Sequence, residues 1–339
     1  MESTTCEQRD GMLGVRSLHG LWLRWNRRAS ARRSAGDWTR DCVVIHGLGV
    51  GIEQTARFLS VERSFEEFEA WIVGLNGGTL ERERIDRINA ALSGEAYAAQ
   101  TRQRHAEIET MPAVLDATDL ADWQEHGYVV LREAIPPDAC AATVEAICRH
   151  IDIDAGDPST WPARRHCQGI MVQLFQHAAL EVARRSSRIH KACAQLWGHA
   201  DLIATNDRCG FNPPENAAFR FPGPHLHWDA EPTPPIGFGV QGILYLTDTG
   251  PDQGAFCCVP GFHREFDEWL RALPAGCNPY DRIPHEAAIP IPGHAGDMVL
   301  WHHGLPHGSS PNRTARPRFV QYLTMFPARI GASSARSAT

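Results

Sequence analysis

Short apolar runs separated by turn residues fill the chain from about residue 116 onward, and this pattern predicts β-strands. Gly, Pro, Asn and Asp bound the runs, and these residues end strands and form turns. We therefore expect a mainly β fold with helices (α+β). Its core would be a double-stranded β-helix of the jelly-roll or cupin-like type, in which two antiparallel sheets enclose the functional site. The predicted strands cover residues 128–131, 170–175, 202–211, 240–246, 289–291, 298–301 and 319–325.

The first 115 residues instead carry apolar positions at helical spacing. Leu18, Leu21 and Trp25 lie on one face of a predicted helix, and Ser64 with Glu67 forms a capping box at the start of another. Further helices are predicted over residues 53–59, 64–75, 79–92, 119–127, 139–151 and 189–198, and residues 95–112 are expected to form a polar helix or a linker. The chain thus divides into a helical N-terminal extension (1–115), a β-rich domain (116–330) and a disordered tail (331–339).

A basic segment accompanies the first helix. It has two interpretations: the polar face of an amphipathic helix packed on the main domain, or a surface that docks an acidic partner such as a carrier protein or a CoA phosphate. The segment contains Arg24, Arg27, Arg28, Arg32 and Arg33.

Residues 42–51 resemble a strand that enters a dinucleotide-binding loop. Their glycines, Gly47, Gly49 and Gly51, do not meet the G-x-G-x-x-G spacing. We reject a nucleotide site and expect a turn between helical segments.

Composition excludes several classes of function. The 339 residues are 43% hydrophobic and carry a net charge of −7, which fits a globular protein and argues against a nucleic-acid partner. No apolar run approaches the ~20 residues of a membrane span, and the polar first eleven residues do not form a secretory signal. The ten Cys include no C-x-x-C pair, so we expect reduced thiols and a cytoplasmic location.

The stretch His225-Leu226-His227-Trp228-Asp229 carries the clearest chemistry, together with His307. Side chains two residues apart on a strand point to the same side, so His227 and Asp229 can reach one ion. An H-x-D pair with a distant His is the sequence form of the 2-His-1-carboxylate triad. That triad binds one face of Fe(II) and leaves other positions open.

The residues after His307 make this interpretation specific. Ser309 and Arg318 stand two and eleven positions after it, and a Pro-Gly-Phe-His turn occupies residues 260–263. In order and spacing, residues 118–327 resemble the phytanoyl-CoA dioxygenase family of Fe(II)/2-oxoglutarate oxygenases. That family carries a small hydroxyl residue and an Arg at the same two spacings.

The resemblance implies that His227, Asp229 and His307 are the catalytic residues that hold Fe(II), with 2-oxoglutarate and O2 as cosubstrates. It implies that Arg318, assisted by Ser309, binds the distal carboxylate of 2-oxoglutarate. A guanidinium provides the two-pronged donor that such an anion requires. Three further cofactor-binding residues are implied: Arg208, Tyr245 and Gln173.

The implied activity is hydroxylation of an aliphatic C–H bond in a small molecule or natural-product intermediate, with release of succinate and CO2. Asp229 is retained where related halogenases carry Ala or Gly, which favours a hydroxylase. Desaturation, cyclisation and epimerisation stay open, as do a cupin-type metal protein that does not use 2-oxoglutarate and a silent binding module. A zinc hydrolase would need a base such as Glu231. An anionic or carrier-tethered substrate and the oligomeric state also stay open.

Several residues compete for the assigned roles. His302 and His303 compete with His307, but neither has a hydroxyl residue and an Arg at the two spacings above. His225 competes with His227, although the residue two positions after it is His227 and not a carboxylate. The remaining competitor is Arg316, two positions before Arg318.

Overall fold

The computed structural model describes residues 11–26, 34–217 and 219–329. The predicted disordered tail lies outside the described residues, as do Arg27, Arg28, Arg32 and Arg33. The helices are α1 (Leu18–Trp25), α2 (Ala35–Gly47), α3 (Ile52–Phe58), α4 (Phe65–Leu75), α5 (Arg82–Ser93), α6 (Ala99–Thr110), α7 (Ala117–His126), α8 (Pro137–Ile151), α9 (Ala178–Arg184), α10 (Ser187–Trp197) and α11 (Phe262–Ala272).

The strands form one large sheet, one small sheet and a two-stranded ladder, with antiparallel pairing throughout. The large sheet has the order β1-β9-β6-β11-β5-β3-β2, the small sheet the order β10-β7-β8, and β12 pairs with β4. The strands are β1 (Tyr128–Leu131), β2 (Cys167–Gln168), β3 (Met171–Val172), β4 (Leu202–Ala204), β5 (Cys209–Asn212), β6 (Val240–Tyr245), β7 (Phe256–Cys258), β8 (Ile289–Ile291), β9 (Met298–His302), β10 (His307–Ser309), β11 (Arg318–Tyr322) and β12 (Met325–Pro327).

The two sheets enclose an interior, as the jelly-roll prediction requires. Along β11, Phe319 packs with the helices on the outer face of the large sheet, while Val320 packs between the sheets. This alternation follows from the two-residue period of a strand. The predicted α+β fold with a double-stranded β-helix core is confirmed.

The N-terminal helices form a hydrophobic core of their own. Leu18, Leu21 and Trp25 are buried in it, and the capping box of Ser64 and Glu67 is present. Most of the segment rejected as a nucleotide loop lies within α2, and a turn at Gly49 with φ of 74° follows it. The helical character of the extension is therefore confirmed, and Arg24, paired with the buried Asp41, fits the packed-helix interpretation.

Three predicted strands differ from the observed ones. The strand over 170–175 is reduced to Met171–Val172. The strand over 202–211 divides into β4 and β5, which belong to different sheets, because Asn206 bonds to helix α2 and leaves the ladder. The strand over 319–325 divides into β11 and β12 at Leu323 and Thr324. In the second and third cases the chain passes from one sheet to another within a segment that was predicted as one continuous strand.

The segment between α6 and α7 contains the predicted domain boundary near residue 115. Ile108 and Leu115 pack into the core that the large sheet shares with its helices, so the extension is tied to the β-rich domain. The exact division remains a prediction. Within the described ranges, no helix combines the length and apolar character of a membrane span.

Candidate metal centre

Backbone pairing brings His227 and His307 together. Each backbone N–H donates to the carbonyl of the other, at 2.9 and 3.0 Å, which joins the segment before β6 to strand β10. Asp229 completes the group: its Oδ1 lies 3.2 Å from Nε2 of His227, and its Oδ2 lies 3.5 Å from Nε2 of His307. The three residues predicted from the sequence thus converge, and we call them the triad.

A backbone carbonyl orients each imidazole of the triad. Nδ1 of His227 donates to the carbonyl of His225 at 2.7 Å, and Nδ1 of His307 donates to the carbonyl of Leu305 at 3.0 Å. A carbonyl only accepts, so the neutral form of each ring carries its proton on Nδ1. Nε2 is left as the metal-binding nitrogen of both rings.

The triad fits an Fe(II) ion. One ligand atom from each residue lies within 4.8 Å of the other two, and an octahedral ion with bonds of about 2.1 Å needs neighbouring ligands about 3 Å apart. The His307 side chain is 5% exposed whereas that of Asp229 is 53% exposed, so the ligands cover one side of the position and leave the other open. Within the described part of the chain no second cluster of three such ligands occurs.

The charges of the triad favour a cation. Burial alone would raise the pKa of Asp229, but hydrogen bonds from His227 and His307 outweigh it and hold that pKa well below its usual range. Burial would lower the pKa of His227, but its hydrogen bonds to Asp229 and to the backbone, together with the negative charge of Asp229, outweigh the burial and raise that pKa. Asp229 is therefore a deprotonated carboxylate. A bound metal ion would take the place of the protons that lie between this carboxylate and Nε2 of the two imidazoles.

Two residues that the sequence analysis missed support Asp229. Gln241 on β6 donates through Nε2 to Oδ2 of Asp229. Trp301, its partner in register on β9, donates from Nε1 to Oε1 of Gln241 at 3.1 Å. The Trp301 ring also lies 4.9 Å from that of His307, centre to centre. The signal in the sequence that could have indicated this role was the single polar residue, Gln241, within the apolar run of β6.

Arg318 is completely buried between the sheets. Its Nη1 donates to the carbonyl of Gly254 at 2.6 Å and to the hydroxyl of Ser309 at 3.2 Å. Its Nε and Nη2 have no hydrogen-bond partner among the described residues. A buried charge without a counter-ion is costly, and two free guanidinium donors match a carboxylate. The competing Arg316 is exposed.

The competing histidines stay outside the triad. His225 is exposed and packs edge-on against Phe221. His302 accepts the backbone N–H of Gly304 through Nδ1 and lies among aromatic rings on the other face of the sheet. Burial lowers the pKa of His303, and this residue also contributes no ligand to the cluster.

The hydroxyl of Tyr245 makes two hydrogen bonds to the backbone. It donates to the carbonyl of Ile291 at 2.6 Å and accepts the backbone N–H of Phe256 at 3.0 Å. Both partners belong to the small sheet. With its hydroxyl bonded to the backbone, Tyr245 joins the two sheets. The predicted cofactor roles of Tyr245, Gln173 and Arg208 stay predictions.

Trp228 anchors the H-x-D segment from the other side. Its side chain points away from His227 and Asp229, as alternation requires, and its Nε1 donates to the carbonyl of Gly304 at 3.1 Å. The indole packs against Phe262, Phe266 and Trp269 of α11.

Comparisons with known proteins agree with this geometry. The family model "Phytanoyl-CoA dioxygenase (PhyH)" matches residues 123–320. A putative phytanoyl-CoA dioxygenase of Dictyostelium discoideum is 25% identical, over 60% of this chain and 74% of its own length. The ectoine dioxygenase of Nocardia farcinica is 24% identical, over 72% of this chain and 88% of its own length.

One solved structure is also similar, with a lower sequence identity than these two relatives. The crystal structure of EctD from S. alaskensis with 2-oxoglutarate and 5-hydroxyectoine is 20% identical and covers 64% of this chain and 78% of its own, with a TM-score of 0.46.

Proposed function

Because the chain belongs to the phytanoyl-CoA dioxygenase family and is an Fe(II)/2-oxoglutarate-dependent dioxygenase, we propose that it hydroxylates an aliphatic C–H bond of a small molecule. The observation that supports this most is the triad together with Arg318, whose buried guanidinium lacks a counter-ion among the described residues. A cupin-type metal protein that does not use 2-oxoglutarate would have no use for that guanidinium.

In this proposal the triad holds iron, and Arg318 with Ser309 holds the distal carboxylate of 2-oxoglutarate. Iron, 2-oxoglutarate and O2 supply the oxidative decarboxylation and the oxidant for the C–H bond. The chain contributes orientation. The backbone carbonyls of His225 and Leu305 fix the two imidazoles, and the Arg318 guanidinium fixes one end of the cosubstrate.

The side chains around the triad also keep the reacting region apart from solvent. Trp301 and Phe256 pack together with their ring centres 4.3 Å apart, and both lie beside His307. Trp228 and α11 close the opposite side of the H-x-D segment. These rings keep water from the side of the triad on which His307 is buried. The side on which Asp229 is exposed faces the entry for substrate.

We propose a small-molecule substrate that carries at least one anionic or strongly polar group. Arg208 supports this, because its side chain is largely buried and its Nε has no hydrogen-bond partner in the described chain. The relatives are named for small molecules: ectoine in one case and hypophosphite in another. Tethering to a carrier protein would require a docking surface for the carrier, and the basic segment proposed for that purpose lies mostly outside the described residues.

A cytoplasmic location is the companion proposal. Every cysteine among the described residues is a free thiol, which suits a reducing compartment.

We also propose the division into an N-terminal extension up to residue 115 and an oxygenase domain over residues 116–330. The separate hydrophobic core of the N-terminal helices supports it.

The experiment that tests hydroxylation is turnover under oxygen-18-labelled O2. Candidate small molecules are screened by succinate release in the presence of Fe(II) and 2-oxoglutarate, and the product of each positive reaction is analysed by mass spectrometry. Hydroxylation places one labelled oxygen in the product. Loss of two hydrogens would indicate desaturation or ring closure, and an unchanged mass with inverted stereochemistry would indicate epimerisation. Either result would overturn the hydroxylase proposal while leaving the cofactors in place.

A further inference from the structure

Three hydrogen-bond donors lie in one row across neighbouring strands of the large sheet. Strands β3, β5 and β11 are adjacent, and their register aligns Met171, Gly210 and Val320. Two positions from these lie Gln173, just after β3, Arg208, just before β5, and Tyr322, the last residue of β11. By the two-residue period of a strand they continue the row on the same face. A backbone hydrogen bond confirms the alignment of Tyr322 with Arg208, since the N–H of Tyr322 donates to the carbonyl of Arg208 at 3.1 Å. This donor row consists of Gln173, Arg208 and Tyr322.

Each member of the donor row has a buried polar atom without a hydrogen-bond partner in the described chain: Nε2 of Gln173, Nε of Arg208 and the hydroxyl of Tyr322. Arg208 Nε lies 3.5 Å from Oδ1 of Asp207 but makes no hydrogen bond to it. A buried polar group without a hydrogen-bond partner destabilises a fold. Three such groups side by side indicate a place for a ligand, and donors of this kind suit a carboxylate.

Helix α3 of the extension determines which atoms of the donor row face the interior. Arg57 donates to Oε1 of Gln173 at 3.2 Å. Because a guanidinium only donates, it holds the amide with Oε1 outward and leaves Nε2 free. Glu53 pairs with Nη1 of Arg208 and also lies 3.4 Å from Nη2 of Arg57. Residues of helix α3 thus bind Oε1 of Gln173 and Nη1 of Arg208. Nε2 of Gln173 and Nε of Arg208 are left without a hydrogen-bond partner in the described chain.

The extension approaches this part of the sheet closely. Asn206, two residues before Arg208, donates its backbone N–H to Nδ1 of His46 at 3.1 Å and its side-chain amide to the His46 carbonyl at 3.0 Å. A Cβ at Gly51, the residue before α3, would lie 2.9 Å from the Asn206 carbonyl and 2.6 Å from the ring of Phe175. Only glycine permits this approach, so α3 is held against the donor row.

We propose that the N-terminal extension is part of the active site, with Glu53 and Arg57 as positioning residues that orient the donor row to bind a carboxylate inside the barrel. The inference rests on the proposed function. Arg318 takes the distal carboxylate of 2-oxoglutarate, so the bound group is either the other carboxylate of 2-oxoglutarate or one carried by the substrate. Both positioning residues lie outside residues 123–320, the region that the family model matches.

The test compares variants of the full chain loaded with Fe(II) without oxygen. 2-Oxoglutarate is titrated first, and its dissociation constant is read from the visible charge-transfer band of the complex. Acetate and benzoate are then added as carboxylate probes, and their binding is read from the perturbation of that band. The variants are Glu53→Gln and Arg57→Gln. Matched controls are Asp86→Asn and Arg82→Gln, which break an exposed ion pair elsewhere in the extension.

We expect Glu53→Gln and Arg57→Gln to raise a carboxylate dissociation constant about ten-fold. Each variant lets one member of the donor row turn away, so that the row makes one hydrogen bond fewer to the bound carboxylate. A rise for 2-oxoglutarate assigns the donor row to the cosubstrate, and a rise for acetate or benzoate alone assigns it to a substrate carboxylate. Affinity for Mn(II), measured by electron paramagnetic resonance without cosubstrate, should not change. The two controls should bind all ligands like the unmodified protein.

Unchanged constants for 2-oxoglutarate, acetate and benzoate in both variants would overturn the inference. Because the Arg57 side chain is 61% exposed, Arg57→Gln should fold even if Glu53→Gln does not. In that case the constants of Arg57→Gln alone decide whether the inference holds. Absence of the band in the unmodified protein would instead reject the proposed function on which the inference depends.

Discussion

Arg318 of the large sheet donates a hydrogen bond to the Ser309 hydroxyl of the small sheet, at 3.2 Å. The contact spans the space between the sheets and holds one nitrogen of a completely buried guanidinium. Two other nitrogens of that guanidinium have no hydrogen-bond partner among the described residues. A carboxylate that bound them would supply the missing counter-ion, so this pair marks where an anionic cosubstrate completes the interior.

Replacement of Arg318 by Met should separate stability from binding. A buried charge without a counter-ion costs more than a well-packed apolar side chain, so the free energy of unfolding of the ligand-free protein should rise by about 1–2 kcal/mol. Affinity for 2-oxoglutarate should fall by at least about 30-fold, since removal of one partner from a buried, hydrogen-bonded charge pair costs about 2–5 kcal/mol. Urea unfolding and cosubstrate titration measure the two effects.

The control for this variant is Arg316→Met, which removes an exposed guanidinium from the same segment and should change neither quantity. A clear loss of stability in Arg318→Met, combined with normal binding of 2-oxoglutarate, would mean that Arg318 has a structural role alone.

Trp301→Phe should weaken metal binding. Phenylalanine keeps a ring beside His307 but lacks the N–H that fixes Gln241 and, through it, Asp229. Groups that orient metal ligands typically contribute 10–100-fold to affinity, so we expect about a ten-fold rise in the dissociation constant of Mn(II), measured by electron paramagnetic resonance. Trp197→Phe is the matched control, because this indole N–H also bonds within the fold but far from the triad, to the Met325 carbonyl. Equal effects of the two variants would exclude the positioning role.

The sequence predicted the parts of the site that depend on local spacing. His227 and Asp229 follow from strand alternation, and His307, Ser309 and Arg318 lie within one short segment whose spacing resembles a known family. Gln241 and Trp301 meet only through the register of β6 with β9, sixty positions apart, which no local pattern encodes. For the same reason the sequence could not reveal that α3 of the extension reaches the donor row.

The division of the predicted strand over 202–211 has a similar cause. Its apolar residues favour one continuous strand, but Asn206 bonds to His46 of α2, a residue 160 positions away. That tertiary contact directs the chain out of one sheet and into the other. The boundaries of the helices in the extension were predicted more closely, because capping residues such as Ser64 act within one turn.

Stability should depend on pH through His46. Burial lowers the pKa of this residue to about 3, whereas an unfolded chain has a histidine pKa of about 6.5. Between these values the unfolded state binds a proton that the folded state does not. The stabilisation is therefore complete above about pH 6.5 and is lost as the pH falls, by about 1.4 kcal/mol per unit.

Urea unfolding of metal-free protein at pH 7 and pH 4.5 measures this effect. The drop in the free energy of unfolding between the two pH values should be about 2–3 kcal/mol smaller in His46→Gln than in the unmodified protein. His294→Gln, which replaces a largely exposed histidine, should keep the full drop. An identical pH dependence in His46→Gln and the unmodified protein would show that His46 is not the group responsible.

The most direct measurement is an anaerobic titration of Fe(II) and then 2-oxoglutarate into the metal-free protein, followed by visible spectroscopy. A charge-transfer band should appear in the unmodified protein and in His225→Ala, which keeps the backbone carbonyl that orients His227. It should be absent in His307→Ala and should require far more 2-oxoglutarate in Arg318→Ala. Absence of the band from the unmodified protein would contradict the assignment of the triad and Arg318 to iron and 2-oxoglutarate.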